Sequence, residues 1–344
     1  MDVLRFPAEW EPQEGLLLSF PHNGNDWPGK YGAIQWAFVE YIKKVSNYQQ
    51  VFLVVKDAAQ KEKVGAMLAC AMINEDAVTY IEQKTNRSWM RDAGPIMVYN
   101  KNKREALQFS FNGWAKYSNY KLDKHIPEAV AKVIGAPLKQ VTYKGKPVVL
   151  EGGALEVNGQ GTLITTEECL LDPNIQVRNA GFTKEDYESI FKTYFGVTNT
   201  IWLKDGIVGD DTHGHIDDLC RFVNASTVVT VVEENKNDAN YKPLQENLTI
   251  LKQSVLENGE PLKVIALPMP KPIVFEGLQL PASYANFIII NKAVLAPTFN
   301  DVADRKALQI LADCFPDREV IGINAIDLIW GFGTLHCLSQ QIPK

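Results

Sequence analysis

The chain has 344 residues and a formal net charge of −6, with a sequence pI of about 5.5. Its length suits two average domains or one large one, and its 46% apolar and 22% charged content is typical of a globular protein. The composition lacks the basic footprint of a nucleic-acid binder, and the acidic balance favours cationic ligands.

The N-terminus and the cysteines point to a cellular compartment. Residues 1–7 have no basic region followed by an apolar core, so we expect no signal peptide. No apolar run is long enough to cross a bilayer, which predicts no membrane segment. The five cysteines include no Cys-x-x-Cys pair, which favours reduced thiols over a disulfide framework or a structural zinc site. We therefore predict a cytoplasmic protein.

In chain order, the first predicted elements are a strand at Leu16–Phe20, a helix at Tyr31–Val45 and a strand at Val51–Val55. Residues 57–83 predict an additional helix and strand. Beyond them, one pattern recurs four times, in which two short apolar runs flank an asparagine. Each occurrence predicts a β-hairpin with a turn-forming residue, and the four asparagines are Asn100, Asn158, Asn224 and Asn291.

A helical pattern and then a β-rich segment follow each hairpin, so the repeating unit is strand–strand–helix–strand. The predicted helices are Asp123–Ile134, Thr183–Tyr194, Tyr241–Leu256 and Asp301–Cys314. The closing strands are Lys139–Lys144, Asn199–Lys204, Lys263–Leu267 and Glu319–Ile323. Thr183 with Asp186 predicts a capping box at the start of the second helix.

The two chain ends can supply a fifth unit. A strand at Thr334–Gln340 would pair with Leu16–Phe20, and the helix and strand that follow would complete the unit. A repeat of this length indicates a radial or stacked array. We therefore predict one α/β domain over residues 1–344, with five repeats closed into a ring. Two unrelated α/β domains are the alternative.

Polar clusters occupy matching places in this repeat. Asp92, Glu151, His215 and Cys337 each lie between the last strand of one unit and the hairpin of the next. In a radial array such positions lie equally far from the axis, so these side chains are expected to meet. A cysteine, a histidine and several carboxylates are the components of a nucleophilic site that acts on a cation.

Several motifs resemble those of the agmatine deiminase and bacterial peptidyl-arginine deiminase family of guanidine-modifying enzymes. The resemblance extends over most of the chain, and the matching segments are Pro7–Gly15, Trp89–Pro95, Phe111–Trp114, Leu150–Gly153, Leu163–Leu171, Gly214–Asp217 and His336–Pro343. The resemblance implies the pentein fold, which is a five-bladed α/β propeller of ββαβ repeats with pseudo-fivefold symmetry. It also implies hydrolysis of a guanidine without a metal or another cofactor.

The same resemblance implies a role for each clustered residue. Cys337 would attack the guanidine carbon as a thiolate, and His215 would serve as general acid and base. Glu151 would orient His215 and reach the substrate. Asp92 and Asp217 would hold the guanidinium, since carboxylates match the geometry of its N–H groups.

Some alternatives stay open at this stage. Asp92 can instead pair with its neighbour Arg91, and Asp218 competes with Asp217 for the clamp. His213 and His215 with Asp217 can also be interpreted as a metal cluster of the amidohydrolase type. That interpretation is disfavoured because such a cluster needs further ligands and lies at the end of an early barrel strand.

Asp211 and Trp89 concern the choice of substrate. Asp211 lies four residues before His215, where it would face a distal ammonium, and Trp89 would wall the methylene chain. Two segments depart from the agmatine-specific pattern. Asp211-Thr-His-Gly-His215 replaces Glu-Thr-Asn-Gly-His, and Gly331-Phe-Gly-Thr-Leu-His-Cys337 replaces Gly-Gly-Gly-Asn-Ile-His-Cys. Both departures weaken the substrate assignment and leave the reaction type intact.

The function hypothesis is conversion of agmatine to N-carbamoylputrescine and ammonia, in polyamine synthesis or agmatine catabolism. The alternative is a deiminase of peptidyl-arginine or another guanidine. A non-catalytic binding factor with the same fold is disfavoured, because it needs no such cluster. The expected partner is a small cationic guanidine, with no nucleic acid and no membrane, and assembly into a homo-oligomer stays open.

Overall fold

The computed structural model describes residues 4–344 and shows an α/β chain in which one sheet topology recurs. In five sheets a first strand pairs antiparallel with a second, and the second pairs parallel with a third. A helix lies between the second and third strands, as the sequence predicted. We number the units 1 to 5 in the order of their first strands.

Each unit has three strands and one helix with the following bounds. Unit 1 contains Ile96–Asn100, Lys103–Gln108, helix Ile126–Ile134 and Leu138–Gln140. Unit 2 contains Glu156–Val157, Thr162–Thr166, helix Lys184–Phe195 and Asn199–Leu203. Unit 3 contains Cys220–Asn224, Thr227–Val232, helix Tyr241–Gln253 and Lys263–Pro268. Unit 4 contains Ile288–Ile290, Ala293–Thr298, helix Asp304–Cys314 and Glu319–Asn324.

Unit 5 joins the two ends of the chain, as predicted. Its strands are Ser339–Pro343, Gln13–Ser19 and Gln50–Val55, and its helix is Tyr31–Ser46. The predicted extra helix and strand are Ala58–Cys70 and Val78–Glu82, and that strand extends the sheet as a fourth member. The first three residues of the predicted 1–344 domain lie outside the described residues.

The predicted strand Thr334–Gln340 is wrong over its first five residues. The strand begins only at Ser339, and residues 335–338 form a turn. The N–H of Leu338 donates to the carbonyl of Thr334, and that of Ser339 donates to the carbonyl of His336. Because these backbone groups are bonded locally, they are not free to form a sheet ladder. Cys337 therefore lies on a turn at the entrance to the strand.

Helix ends and apolar faces follow the sequence signals. Thr183 and Asp186 form the predicted capping box, and Gly196 ends the same helix in the left-handed conformation at φ 71°. The helix of unit 1 buries Ile126, Val130 and Ile134, which are spaced to share one face. These apolar faces pack the helices against their sheets.

The remaining elements are short and lie within or between the units. They are helices Met90–Ala93, Glu167–Leu171 and Ile326–Ile329, 3₁₀ turns Glu75–Ala77, Asp123–His125, Gly152–Ala154 and Ile216–Asp218, and two small hairpins, Thr142–Tyr143 with Lys146–Pro147 and Ile273–Phe275 with Leu278–Leu280. Within residues 4–344, no helix combines the length and apolar character that a membrane crossing requires.

Candidate active site

In all five units, the segment that precedes the first strand delivers a polar side chain to one region. The short helix Met90–Ala93 carries Asp92, and the 3₁₀ turns Gly152–Ala154 and Ile216–Asp218 directly follow Glu151 and His215. The turn before Ser339 carries Cys337. The corresponding residue before the first strand of unit 4 is Asn286, which the sequence analysis did not identify.

A cavity of about 130 Å³ opens beside these residues. Cys337, Asp92 and Trp89 line its buried side, and Trp89 packs on Trp27 with ring centroids 5.4 Å apart. Trp89 therefore lines the cavity, and its role as a wall for a methylene chain stays a prediction. The whole lining comprises Asn25, Asp26, Pro28, Arg87, Trp89, Asp92, Trp114, Tyr117, Asp211, Thr212, Gly331, Phe332 and Cys337.

Cys337 is only 7% exposed and lies among acids. Its Sγ is 3.7 Å from Oδ2 of Asp217 and 3.0 Å from Nδ2 of Asn286. Burial, followed by the charges of Asp217, Asp218 and Asp92, raises the pKa of the Cys337 thiol well above 9. The unliganded site therefore holds a protonated thiol at neutral pH.

Asp217 is fully buried and held by a histidine. Its Oδ2 lies 2.7 Å from Nδ1 of His336, and the other ring nitrogen of His336 lies 2.9 Å from Oε2 of Glu9. Burial alone would raise the pKa of Asp217, but the bond to His336 and its charge lower it below 3.8. Oδ1 of Asp217 has no hydrogen-bond partner among residues 4–344, so this carboxylate keeps acceptor capacity.

His336 precedes Cys337 in the turn formed by residues 335–338. The histidine is buried and links Asp217 to Glu9. Asp218, the competitor of Asp217, accepts a hydrogen bond of 3.0 Å from Nδ2 of Asn286. Both aspartates have an oxygen close to the Cys337 sulfur.

Asp92 is buried, and each of its carboxylate oxygens accepts a hydrogen bond. Its Oδ2 accepts from Nε1 of Trp114 at 2.9 Å, and its Oδ1 accepts from the N–H of Gly153 at 3.1 Å. Burial, with a contribution from Asp217, raises its pKa to about 6, although His215 opposes the shift. The alternative pairing with Arg91 is wrong, because the Arg91 guanidinium donates to Gln341 and to the carbonyl of His336.

His215 lies between two carboxylates. Nδ1 is 3.9 Å from Oδ1 of Asp92, and Nε2 is 4.0 Å from Oε2 of Glu151. Burial lowers the pKa of His215, but Asp92 and the neighbouring Cys169 thiol outweigh it, so the pKa lies well above 6.5. Glu151 is fixed by Nε of Arg178, which is 3.3 Å from both of its oxygens. The predicted Glu151–His215 contact exists, but it is longer than a hydrogen bond.

The Glu-Gly-Gly motif has a steric cause. A Cβ atom on Gly153 would lie 2.4 Å from Nδ1 of His215 and 3.0 Å from Oδ1 of Asp92. No real Cβ atom tolerates such a contact with a fixed ring. The glycine therefore lets the backbone approach the histidine closely enough for its N–H to bond Asp92.

Asp211 lines the exposed side of the cavity, but its charge is already paired. Nζ of Lys116 lies 2.6 Å from Oδ1, and the hydroxyl of Tyr117 donates to Oδ2 at 2.8 Å. A second pair lies beside it, in which Nη1 of Arg87 is 2.9 Å from Asp26. The expected acidic rim is thus two ion pairs, and the sequence analysis missed both of their cations.

The alternative metal cluster of His213, His215 and Asp217 is not assembled among the described residues. His213 lies 3.0 Å from Asp172 and 3.3 Å from Glu168. Among the described residues, two groups of three side chains each bring their ligand atoms within 4.8 Å of one another. Neither group contains His213. They are Glu151 with Cys169 and His215, and Asp217 with Asp218 and Cys337.

Comparisons with known proteins agree with this geometry. The chain matches the Porphyromonas-type peptidyl-arginine deiminase family over residues 5–343. A Marinomonas sp. (strain MWYL1) protein provisionally named agmatine deiminase is 34% identical, over 100% of this chain and 95% of its own length.

Solved structures give the same result. A C. jejuni agmatine deiminase, a cysteine-to-serine variant with substrate bound, has a TM-score of 0.88 and 32% identity, covering 99% of this chain and 97% of its own. The Enterococcus faecalis agmatine deiminase has a TM-score of 0.89 and 30% identity, covering 99% and 96%.

A more distant likeness concerns the fold alone. An amidinotransferase from Microseira wollei is 10% identical with a TM-score of 0.56, over 99% of this chain and 97% of its own. The matches at 30% identity or more extend over nearly the whole chain. This chain therefore belongs to the Porphyromonas-type peptidyl-arginine deiminase family and is an agmatine deiminase-like hydrolase of C–N bonds other than peptide bonds.

Proposed function

We propose that the protein converts agmatine to N-carbamoylputrescine and ammonia in the cytoplasm, through a covalent adduct on Cys337. We further propose that its five units form one propeller domain around this site. The observation that carries the proposal is the clustering of Cys337, His215 and three buried carboxylates next to one small cavity, which Cys337 and Asp92 line. Metals and other cofactors have no step in the proposed reaction.

Asp92 and Asp217 bind the guanidinium in this proposal. Each is buried, and each carboxylate can take two N–H groups of a planar cation with matched geometry. Oδ1 of Asp217 is free to accept within the described residues. Because Sγ of Cys337 is 3.7 Å from Oδ2 of Asp217, a guanidinium held by the two aspartates would have its central carbon next to the sulfur.

The bound cation activates the nucleophile. Burial, together with three aspartates, holds the thiol protonated in the free site, and a positive charge among the aspartates removes their part of that penalty. The thiol proton passes to solvent water, and the thiolate then forms a C–S bond to the guanidine carbon. His215 has a pKa well above 6.5 and so carries the proton that departing ammonia requires.

The second half of the reaction regenerates the free Cys337 thiol. Neutral His215 takes a proton from water, and the resulting hydroxide attacks the thiouronium carbon. The C–S bond breaks, the hydroxyl proton of the adduct passes to the departing thiolate, and the neutral ureido product leaves. Glu151, anchored by Arg178, lies 4.0 Å from His215 and stabilises its protonated form in both halves.

The size of the cavity supports a small linear substrate. About 130 Å³ is well below the ~300–1,000 Å³ of pockets that hold drug-sized ligands. Trp89 and Trp114 supply apolar walls for a methylene chain. A peptide backbone would need a wider opening, and the relatives described as agmatine deiminases point the same way.

A second substrate class has one observation in its favour. Arg87 lines the cavity, and Lys116 is paired with another lining residue. Cations at this end would suit a carboxylate, as in arginine or a C-terminal peptidyl-arginine, better than the ammonium of agmatine. A non-catalytic binding role has no such observation behind it.

Product analysis tests the proposal. Purified enzyme is incubated with agmatine, arginine or an arginine-containing peptide, and both ureido product and ammonia are measured, with and without EDTA. We expect agmatine to give the highest kcat/KM and EDTA to have no effect. A peptide preferred by tenfold, about 1.4 kcal/mol of transition-state stabilisation, would replace agmatine by the second class. Loss of activity with EDTA that zinc restores would reject the thiol mechanism.

A further inference from the structure

One segment that the sequence motifs singled out, Leu163–Leu171, has no part in the proposed reaction, yet it lies against His215. Its short helix begins at Thr166, whose hydroxyl accepts from the N–H of Cys169 at 3.1 Å and donates to the carbonyl of Gly214 at 2.5 Å. Gly214 directly precedes His215. One hydroxyl group therefore links the backbone that carries Cys169 to the backbone that carries the histidine.

Close packing also holds these two segments together. Gly214 has a φ of 87°, and a Cβ atom on it would lie 2.8 Å from Oε2 of Glu168 and 3.2 Å from Oγ1 of Thr166. Both the backbone conformation and the lack of space therefore require glycine at this position. As a result, the side chain of Cys169 has a fixed place beside the ring of His215.

The sulfur of Cys169 lies on a side of the His215 ring that is poor in hydrogen bonds. Sγ, a ring nitrogen of His215 and a carboxylate oxygen of Glu151 lie within 4.8 Å of one another. Nδ1 of the ring faces Asp92, whereas Nε2 has no hydrogen-bond partner among residues 4–344. Glu151 is 4.0 Å from Nε2, and Arg178 already occupies that carboxylate. Cys169 is 3% exposed and His215 is 1% exposed, so this side of the ring is closed to solvent.

We propose that Cys169 is a positioning residue that acts through His215, by offering its sulfur as an acceptor to the N–H of the protonated ring. Sulfur is a weak acceptor, but a buried N–H group without any acceptor carries the full cost of its lost hydration. The ring must hold a proton when ammonia departs, and it must stay in place to take a proton from water afterwards. A sulfur that is fixed to the backbone next to the ring serves both steps.

The charges around the ring agree with this role. The acids that face His215 are Asp92, Glu151, Asp217 and Asp218, and its backbone N–H donates to Asp210 at 3.0 Å. Burial lowers the pKa of His215, whereas Asp92 and then the contact with Cys169 raise it. Arg178 is the cation on this side. Burial lowers its pKa, but Cys169 and Glu151 outweigh that effect and raise it. The proposal rests on His215 as the general acid and base, but it does not depend on which guanidine is the substrate.

The ring ¹⁵N signals of His215, recorded against pH in histidine-labelled enzyme without substrate, test the contact. The signals are assigned by their loss in His215→Gln. Cys169→Ala removes the acceptor, so its ring should lose the proton at a lower pH than the wild-type ring. Cys169→Ser keeps an acceptor and should titrate close to wild type. With agmatine, kcat/KM of Cys169→Ala at pH 9 should fall to about one tenth of the wild-type value, with a smaller loss at pH 7.

Cys220→Ala is the matched control. Cys220 is also buried, in the first strand of unit 3, and it belongs to neither group of ligand atoms at the site. Its loss should lower thermal stability without moving the titration of the His215 ring. An equal downward shift in Cys169→Ala and Cys169→Ser would mean that the sulfur only fills space. A ring that titrates in Cys169→Ala as it does in wild type would mean that the contact has no effect, and either result rejects the proposal.

A second pair of variants covers the case in which Cys169→Ala fails to fold. Cys169→Val and Cys169→Thr introduce side chains of the same shape, and only threonine carries an acceptor. The ring should lose its proton at a lower pH in Cys169→Val than in Cys169→Thr, and equal titration overturns the proposal. Because the ring is observed without substrate, absence of turnover with agmatine would affect only the proposed function.

Discussion

The Sγ atom of Cys337 lies 3.7 Å from Oδ2 of Asp217, so the proposed nucleophile and the proposed substrate clamp are in direct contact. A carboxylate at this distance opposes ionisation of the thiol. The same carboxylate attracts the cation whose arrival would relieve that opposition. One pair of residues therefore couples substrate binding to activation of the nucleophile.

This coupling predicts opposite effects of one substitution. Asp217→Asn should speed alkylation of Cys337 by roughly tenfold at pH 8, because a negative charge next to the sulfur is removed. It should also reduce kcat/KM for agmatine by at least about a hundredfold, because half of the clamp is lost. Alkylation and steady-state assays measure the two effects. Asp186→Asn, on a surface pair outside the cavity, is the control, and slower alkylation in Asp217→Asn would contradict the coupling.

Asp92 sets an acidic limit to activity. Its pKa is about 6 in the free site, so the fraction of ionised clamp falls about tenfold per pH unit below that value. We expect kcat/KM to decline below about pH 6, since this parameter reports groups of the free enzyme. A pH profile for wild type and for Asp92→Asn checks the assignment. The residual activity of Asp92→Asn should not show this decline at acidic pH. A decline that persists in the variant would mean that another group causes it.

Gly153 should tolerate no side chain. Gly153→Ala places a methyl group 2.4 Å from Nδ1 of His215, and a displacement of the histidine by about 1 Å costs about a hundredfold in rate. Activity assays with a thermal-unfolding check measure this loss. Gly32→Ala, where an added Cβ has nothing within 4 Å, is the matched control and should keep full activity. Wild-type activity in Gly153→Ala would contradict the observed packing.

The ion pair between Lys116 and Asp211 predicts that Lys116 weakens the binding of agmatine. Lys116→Met frees the charge of Asp211 and should lower the KM for agmatine, whereas Asp211→Asn should raise it only by about threefold. Neither change should affect a simple alkylguanidine, which lacks the distal ammonium. Lys144→Met removes an exposed surface pair far from the lining and serves as the control. A rise of the agmatine KM in Lys116→Met would favour the second substrate class.

Buried ion pairs near the site should matter for folding. Arg221 is fully buried and bonds Glu156 at 2.8 Å and Glu9 at 2.6 Å. Arg221→Met leaves both acids without this partner and should cost about 3–5 kcal/mol of unfolding free energy. Arg5→Met, in a half-exposed pair with Glu11, should cost at most about 1 kcal/mol. Urea unfolding compares them, and equal costs would contradict the role of burial.

Much of the fold could be predicted from the sequence, because its signals are local. A turn-forming asparagine between apolar runs marks the hairpins, and the capping box of Thr183 marks a helix start. The prediction of a strand at Cys337 was wrong because the backbone hydrogen bonds that form the turn at residues 334–339 depend on their tertiary setting. The extent of a single domain stays a prediction.

The site shows the same division. Motif positions brought Cys337, His215, Glu151 and two aspartates together, but their partners come from distant segments. Arg178 reaches Glu151 across 27 residues, and Lys116 reaches Asp211 across 95. No local pattern encodes such contacts. Asn286 differs, because applying the repeat to unit 4 would have pointed to it.

The central claim is that Cys337 forms a covalent adduct with the guanidine carbon. The most direct test is acid quenching during turnover with agmatine, followed by mass spectrometry of the Cys337 peptide. The account predicts an adduct equal to agmatine minus ammonia that appears and decays at catalytic rates and is absent in Cys337→Ala. Full turnover by Cys337→Ala, or an adduct on another cysteine, would contradict it.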